Sequence, residues 1–162
     1  MYYRSFHFFK YAFFQLLAIL SLFSACNQSV IYKNEIQIEN NEWDSTQILT
    51  FNWQVQDTAS WYQLNLTLKH SIEMEYQNLY VKSTTGFPDQ SQKEQIISLE
   101  LFDNSGKPTG HCSGTKCNTE ISLLQRFKFP FIGNYQISLS QYGRDQSVKG
   151  ISSFELEVSK SK

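Results

Sequence analysis

Positive charge, cysteine, histidine and long apolar runs are all scarce in this chain of 162 residues, and each shortage removes a class of function. Fourteen Lys and Arg stand against fifteen Asp and Glu, with no polybasic run. The phosphate neutralisation that drives nucleic-acid binding is therefore missing. No apolar stretch reaches the roughly 20 residues that cross a bilayer as a helix. The longest, residues 11–23, has thirteen and includes Gln15 and Ser21. Three cysteines and three histidines supply no second Cys or His pair for a structural zinc site. Glycine and proline are few, at seven and three, and no repeat or low-complexity tract interrupts the chain.

What is present begins with a leader. Arg4 and Lys10 precede the apolar stretch without an acid among them, which is the charge and length pattern of a secretory signal peptide. The stretch ends Leu22-Phe23-Ser24-Ala25-Cys26. Small residues directly before a cysteine resemble the lipobox of bacterial lipoproteins, where the sulfur takes a diacylglyceryl group and the new amine is acylated. The sequence thus predicts a removed signal over residues 1–25, a lipidated tether over 26–33 and one domain over 34–162. Cys26 is the expected lipidation site and the membrane the expected partner.

Removing 25 of 162 residues leaves 137, one domain's worth. Losing Arg4 and Lys10 leaves 12 Lys and Arg against 15 Asp and Glu, a mildly acidic chain. An odd cysteine count in an exported protein needs explaining. Lipid on Cys26 leaves Cys112 and Cys117 within Gly110-His-Cys-Ser-Gly-Thr-Lys-Cys117, where the intervening turn brings the sulfurs together. A local disulfide is expected in an oxidising compartment.

Aromatic residues make up 15% of the chain, and apolar positions recur with period two, as in strands with one wet face. Leu49, Phe51, Trp53 and Val55 form one such series; Tyr62, Leu64, Leu66 and Leu68 form another. With Asp57-Thr-Ala-Ser60 between them, they read as an antiparallel hairpin with a long loop. Further strands are expected at Ile36 with Ile38, Tyr76 to Val81, Ile97 to Leu101, Ile121 with Leu123, Tyr135 to Leu139 and Phe154 to Val158. The segment Asp89 to Gln95 alone suits a turn of helix. About eight short strands predict an all-β, antiparallel β-sandwich, immunoglobulin-like or jelly-roll-like; a closed barrel fits the same pattern.

Several groupings could carry chemistry, and each has a plainer reading. Gly110-His-Cys-Ser-Gly114 spells a nucleophile elbow with cysteine for serine, but that motif works where a strand turns sharply into a helix. Here it reads as a loop. His111 with Cys112 and Cys117 lacks a fourth zinc ligand, and His70 has no spacing that marks a triad. Glu73 with Glu75, and Glu42 with Asp44, could pair as glycosidase acids, yet acids at strand surfaces are usually solvated. No catalytic residue, metal, cofactor or small-molecule substrate is expected. Trp53 falls in phase with a buried face. Trp43 and Trp61 lie near strand ends, where an exposed pair could stack on sugar rings or anchor a partner. A carbohydrate-binding module is therefore the alternative function.

The order of motifs resembles the GldH gliding-motility lipoprotein family of the Bacteroidota. The likeness runs from Cys26 through Asn40-Asn-Glu-Trp43, Phe51 to Asp57, Tyr62 to Lys69 and Tyr76-Gln-Asn-Leu-Tyr80. It continues through Leu101-Phe-Asp-Asn-Ser-Gly-Lys107, Phe131-Ile-Gly-Asn-Tyr135, Gln141-Tyr-Gly-Arg144 and Gly150-Ile151. The resemblance implies a noncatalytic envelope lipoprotein needed for gliding, with other gliding or envelope proteins as partners and a link to type IX secretion. No acidic cluster follows Cys26, which points to the periplasmic side of a membrane.

Overall fold

A computed structural model describes residues 29–161. Two antiparallel sheets enclose the core. The first has the order β1-β11-β4-β8-β7, built from β1 (Val30–Gln37), β11 (Ile151–Lys160), β4 (Tyr62–Ser71), β8 (Lys116–Phe127) and β7 (His111–Ser113). The second runs β3-β9-β5-β6, from β3 (Leu49–Val55), β9 (Gly133–Gln141), β5 (Asn78–Gly86) and β6 (Gln92–Glu100). A two-stranded ribbon of β2 (Glu42–Asp44) and β10 (Ser147–Lys149) closes one end. The all-β, antiparallel architecture expected from the alternation is therefore present. Among the described residues there are eleven strands where about eight were expected, because β2, β7 and β10 have three residues each, too few to display a period.

Alternation builds the core directly. In β3 the buried Leu49, Phe51, Trp53 and Val55 alternate with Thr50, Asn52 and Gln54, and β4 repeats the pattern over its whole length. Leu66, Leu68, Val81, Leu139, Leu156 and Val158 are wholly buried between the sheets. A fully buried aliphatic or aromatic side chain contributes about 1.5–3 kcal/mol relative to exposure.

Three expectations are corrected. β3 and β4 do not form a hairpin: β3 pairs with β9, while β4 lies between β11 and β8 in the other sheet. The loop between them crosses the sandwich and is organised by Asp57. Its Oδ1 accepts the Ala59 and Ser60 amides at 2.8 and 3.2 Å, and its Oδ2 accepts Lys160 Nζ at 2.8 Å. The donated Lys160 bond, followed by the Ser60 hydroxyl and the loop amides, holds the Asp57 carboxyl far below its ordinary range.

The segment Asp89 to Gln95 contains no helix. Phe87 donates its amide to the Ser91 carbonyl at 3.0 Å in a tight turn, and β6 begins at Gln92. Pairing along β5 from Gly86↔Gln92 onward overrides the helix preference of Gln-Lys-Glu-Gln. Finally, residues 30–33 of the segment expected as a tether over 26–33 belong to β1. Val30 to Lys33 already pair with β11, where Lys33 bridges Glu155 and Glu157 and Tyr32 packs on Trp53 at 5.7 Å.

Candidate functional site

The sequence-selected residues scatter across the fold. Cys26 lies outside the described residues. Cys112 and Cys117 face each other across the β7–β8 hairpin with their sulfurs 1.98 Å apart in a disulfide. The G-x-C-x-G stretch thus sits on a hairpin, with its sulfur consumed and no helix behind it. Reducing the disulfide is expected to cost about 2 kcal/mol, by the loop-entropy relation for so short a ring. Chemical denaturation with and without reductant should show that loss as a single shifted transition; a loss of cooperative folding would contradict a merely local staple.

His70 is buried, with Nε2 3.0 Å from Thr119 Oγ1 and Nδ1 3.0 Å from the Ser71 carbonyl. Its ring packs edge-on against Phe102. Burial pushes the imidazole below its ordinary value of 6.5, against the opposing pull of the Ser71 carbonyl. The unfolded chain therefore takes up a proton that the folded chain resists, and stability is lost as pH falls from 6.5 toward the lower folded value. Melting between pH 7 and pH 5 should decline less steeply in His70→Gln than in the parent. Identical slopes would remove His70 as the source.

The paired acids have structural partners. Glu73 and Glu75 lie in the turn after β4 and not on one strand face. Glu42 accepts the Ser147 hydroxyl across the β2–β10 ribbon, and Asp44 accepts the Thr46 amide at 2.7 Å. Among the described residues, no group of three or more His, Cys, Asp and Glu is placed to hold a metal.

The two tryptophans diverge. Trp43 is wholly buried, edge-on to Phe154 at 4.8 Å, with Nε1 donating to the Gln47 carbonyl at 3.1 Å. The expected partner or glycan contact is corrected there, because an indole inside the core offers no face to a ligand. Trp61 is 39% exposed, and its ring carries Arg126 at 5.2 Å and Lys128 at 4.8 Å from the centroid.

The sequence singles out Trp61 but gives no sign of the cavity at the same end of the fold. A cavity of about 150 Å³ opens between the sheets at that end, lined by Trp53, Leu64, Phe87, Phe127, Phe129 and Tyr135 among others, with the exposed Lys93 and Lys128 also at its wall. Two register shifts in β8, opposite Tyr62–Leu64 and Leu64–Asn65, break the alternation so that Leu123 and Leu124 both reach the cavity. Arg126 follows in a left-handed conformation, φ 46°. Such bulges re-aim side chains beside functional sites. Beyond Asn118, β8 pairs only with β4, and β6 pairs only with β5, so the cavity lies between two open edges. No period marks a bulge in advance; only the run Ser122-Leu-Leu-Gln125, with adjacent leucines, signalled it.

Comparison with known proteins covers nearly all of this sandwich. The gliding motility lipoprotein GldH homolog of Christiangramia forsetii is 21% identical over 155 residues, covering 91% of this chain and 94% of its own. Solved structures are more distant. Tripeptidyl peptidase 2 aligns with 82% of the chain at 12% identity and a TM-score of 0.41, and the chain spans only 10% of that protein. A bacterial lipoprotein from Bacteroides thetaiotaomicron aligns over 83% of this chain and 84% of its own, at 16% identity and a TM-score of 0.22. The model of the GldH lipoprotein family matches residues 30–158, from the start of β1 into β11, and the chain belongs to that family.

Proposed function

We propose that the protein is a lipid-anchored, noncatalytic component of the bacterial gliding-motility apparatus that acts by binding envelope proteins. The observation that carries this reading is the extent of the family match, residues 30–158, which takes in every strand of the sandwich. A relative described as a gliding motility lipoprotein matches along 94% of its length, which supports the same role for the whole chain. Cys26, four residues ahead of the matched segment, carries the acyl chains and keeps the domain at the periplasmic face of a membrane. Its partners belong to the gliding machinery and, through it, to type IX secretion.

The engaged state of the reactive groups supports a binding role. Cys112 is spent on Cys117, His70 on Thr119 and Ser71, and Glu42 on Ser147. The carbohydrate alternative has less support, since Trp43 is buried and the Trp61 ring is already stacked by two cations. Deleting the gene from a gliding bacterium is expected to abolish spreading on agar, with recovery on supplying the chain in trans. Normal spreading of the deletion strain would refute the assignment.

A further inference from the structure

The two ends of the sandwich both expose apolar side chains, among them Ile48, Ile72 and Tyr142 at one and Trp61, Phe131 and Ile132 at the other, and differ in charge. One end gathers the start of β1, the loop 56–61, the turn 87–91, the loop 128–132 and the end of β11. The pairings show this: Ser29 accepts the Lys160 amide at 2.9 Å, Trp61 accepts the Ser161 amide at 2.8 Å, Tyr62 faces Phe127, and Val55 faces Gly133. Here Trp61, Phe131 and Ile132 stand 39%, 44% and 64% exposed on neighbouring loops, beside the exposed Val30. Their positive neighbours are Arg126, Lys128 and Lys160, against Asp57 and Asp89. Lys160 holds Asp57 in an ion pair of 2.8 Å, and Asp89 is tied to Ser91 within its own turn at 3.0 Å. Arg126 and Lys128 remain as cations stacked on an indole.

The opposite end is acidic. Its loops, residues 39–48, 72–77, 101–110 and 142–146, carry seven carboxylates against Lys107 and Arg144. A domain polarised in this way turns its basic, aromatic end toward an anionic surface and its acidic end away.

Chain length sets the orientation independently. On the reading that Cys26 is acylated, three residues of advance separate the lipid from Ser29, and extended chain reaches at most about 3.6 Å per residue. The end of the sandwich bearing Ser29 therefore lies within roughly 11 Å of the bilayer surface. We infer that this end is itself a membrane-docking face: Trp61, Phe131 and Ile132 enter the interfacial layer of the bilayer while Arg126 and Lys128 meet anionic lipid headgroups. Indole and phenyl rings favour that layer, where one side is apolar and the other wet. Basic side chains close to anionic lipid add attraction. The acyl chains keep the protein at the membrane; the docking face fixes which way it points. The acidic loops and the β2–β10 ribbon are then presented away from the bilayer, toward partners.

The test uses the acylated protein in vesicles of phosphatidylethanolamine and phosphatidylglycerol, with and without brominated acyl chains that quench nearby indoles. Trp43 and Trp53 are buried, so the component of emission removed by Trp61→Phe reports the docking face. That component is expected to be quenched in the brominated vesicles. The double variant Phe131→Ser, Ile132→Ser, which leaves the core untouched, should stay vesicle-bound through its lipid yet lose most of the quenching. Mass spectrometry of the N-terminal peptide separates the two premises: an unmodified Cys26 would overturn the lipoprotein reading. A vesicle-bound, acylated protein whose Trp61 emission ignores the brominated lipid would overturn the docking face alone. Protection of Trp61 only by an added envelope protein would overturn it too, by making the patch a protein contact.

Discussion

A chain with Cys26→Ala, exported behind a leader cut by ordinary signal peptidase, is expected to leave the membrane fraction almost completely and to fail to restore spreading. On the proposed acylation of Cys26, the magnitude follows from the acyl chains. Each buried methylene contributes about 0.8 kcal/mol, a single myristoyl chain binds only marginally, and stable anchoring needs about two chains or a chain plus a basic patch. Removing all lipid at once leaves only the few apolar side chains and cations at one end of the sandwich. A diffusing domain also loses the local concentration that tethering gives it toward any partner on the same membrane. Fractionation with immunoblotting, alongside spreading on agar, measures both effects. Exchanging the leader matters, because an uncut apolar segment would itself hold the protein at the membrane. Retention in the membrane pellet with normal spreading would remove lipid from the account.

Trp43→Ala is expected to cost about 3–5 kcal/mol, the usual range for truncating a buried tryptophan. Trp43 lies opposite Val148 in the β2–β10 ribbon and packs edge-on against Phe154, wholly out of water. Truncation opens a cavity where the ribbon caps the core. It also leaves the Gln47 carbonyl without the indole N–H that reaches it at 3.1 Å. Against a typical total of 5–15 kcal/mol, this is a large share of the stability. Trp61→Ala, at a partly exposed position, should cost only about 1–2 kcal/mol, mainly its two cation–π contacts. Urea titrations of the two variants give the comparison directly. Equal losses would mean that burial does not distinguish the two indoles.

The contrast between these tryptophans shows where sequence reading stops. Both stand near strand ends with polar neighbours, Trp43 between Glu42 and Asp44, Trp61 after Ser60. A strand of three residues shows no period, so nothing local to Trp43 announces that a second ribbon strand, more than 100 positions later, folds over it. The same holds for β3 and β4. Their alternating faces were legible residue by residue, but alternation states only which side is buried. Which strand lies alongside is decided by distant chain: Gly133 to Leu139 for one, Ile151 to Lys160 and Lys116 to Phe127 for the other. The turn of helix expected within Asp89 to Gln95 failed for the same reason, since β5 supplies hydrogen-bond partners that local propensity does not include.

Local chemistry, by contrast, is written in the order of residues alone. The period-two apolar positions that make the protein all-β and the family-like succession of motifs need no third dimension, because each depends on neighbours in the chain. Tertiary structure decided the rest: the split of β3 and β4 between sheets, the burial of Trp43, the bulged edge of β8 and the gathering of Trp61, Phe131 and Ile132 at the end where β1 begins. Those features arise from contacts between segments far apart in sequence, whose pairing is selected by the total area hidden from water and not by the pattern of any one segment.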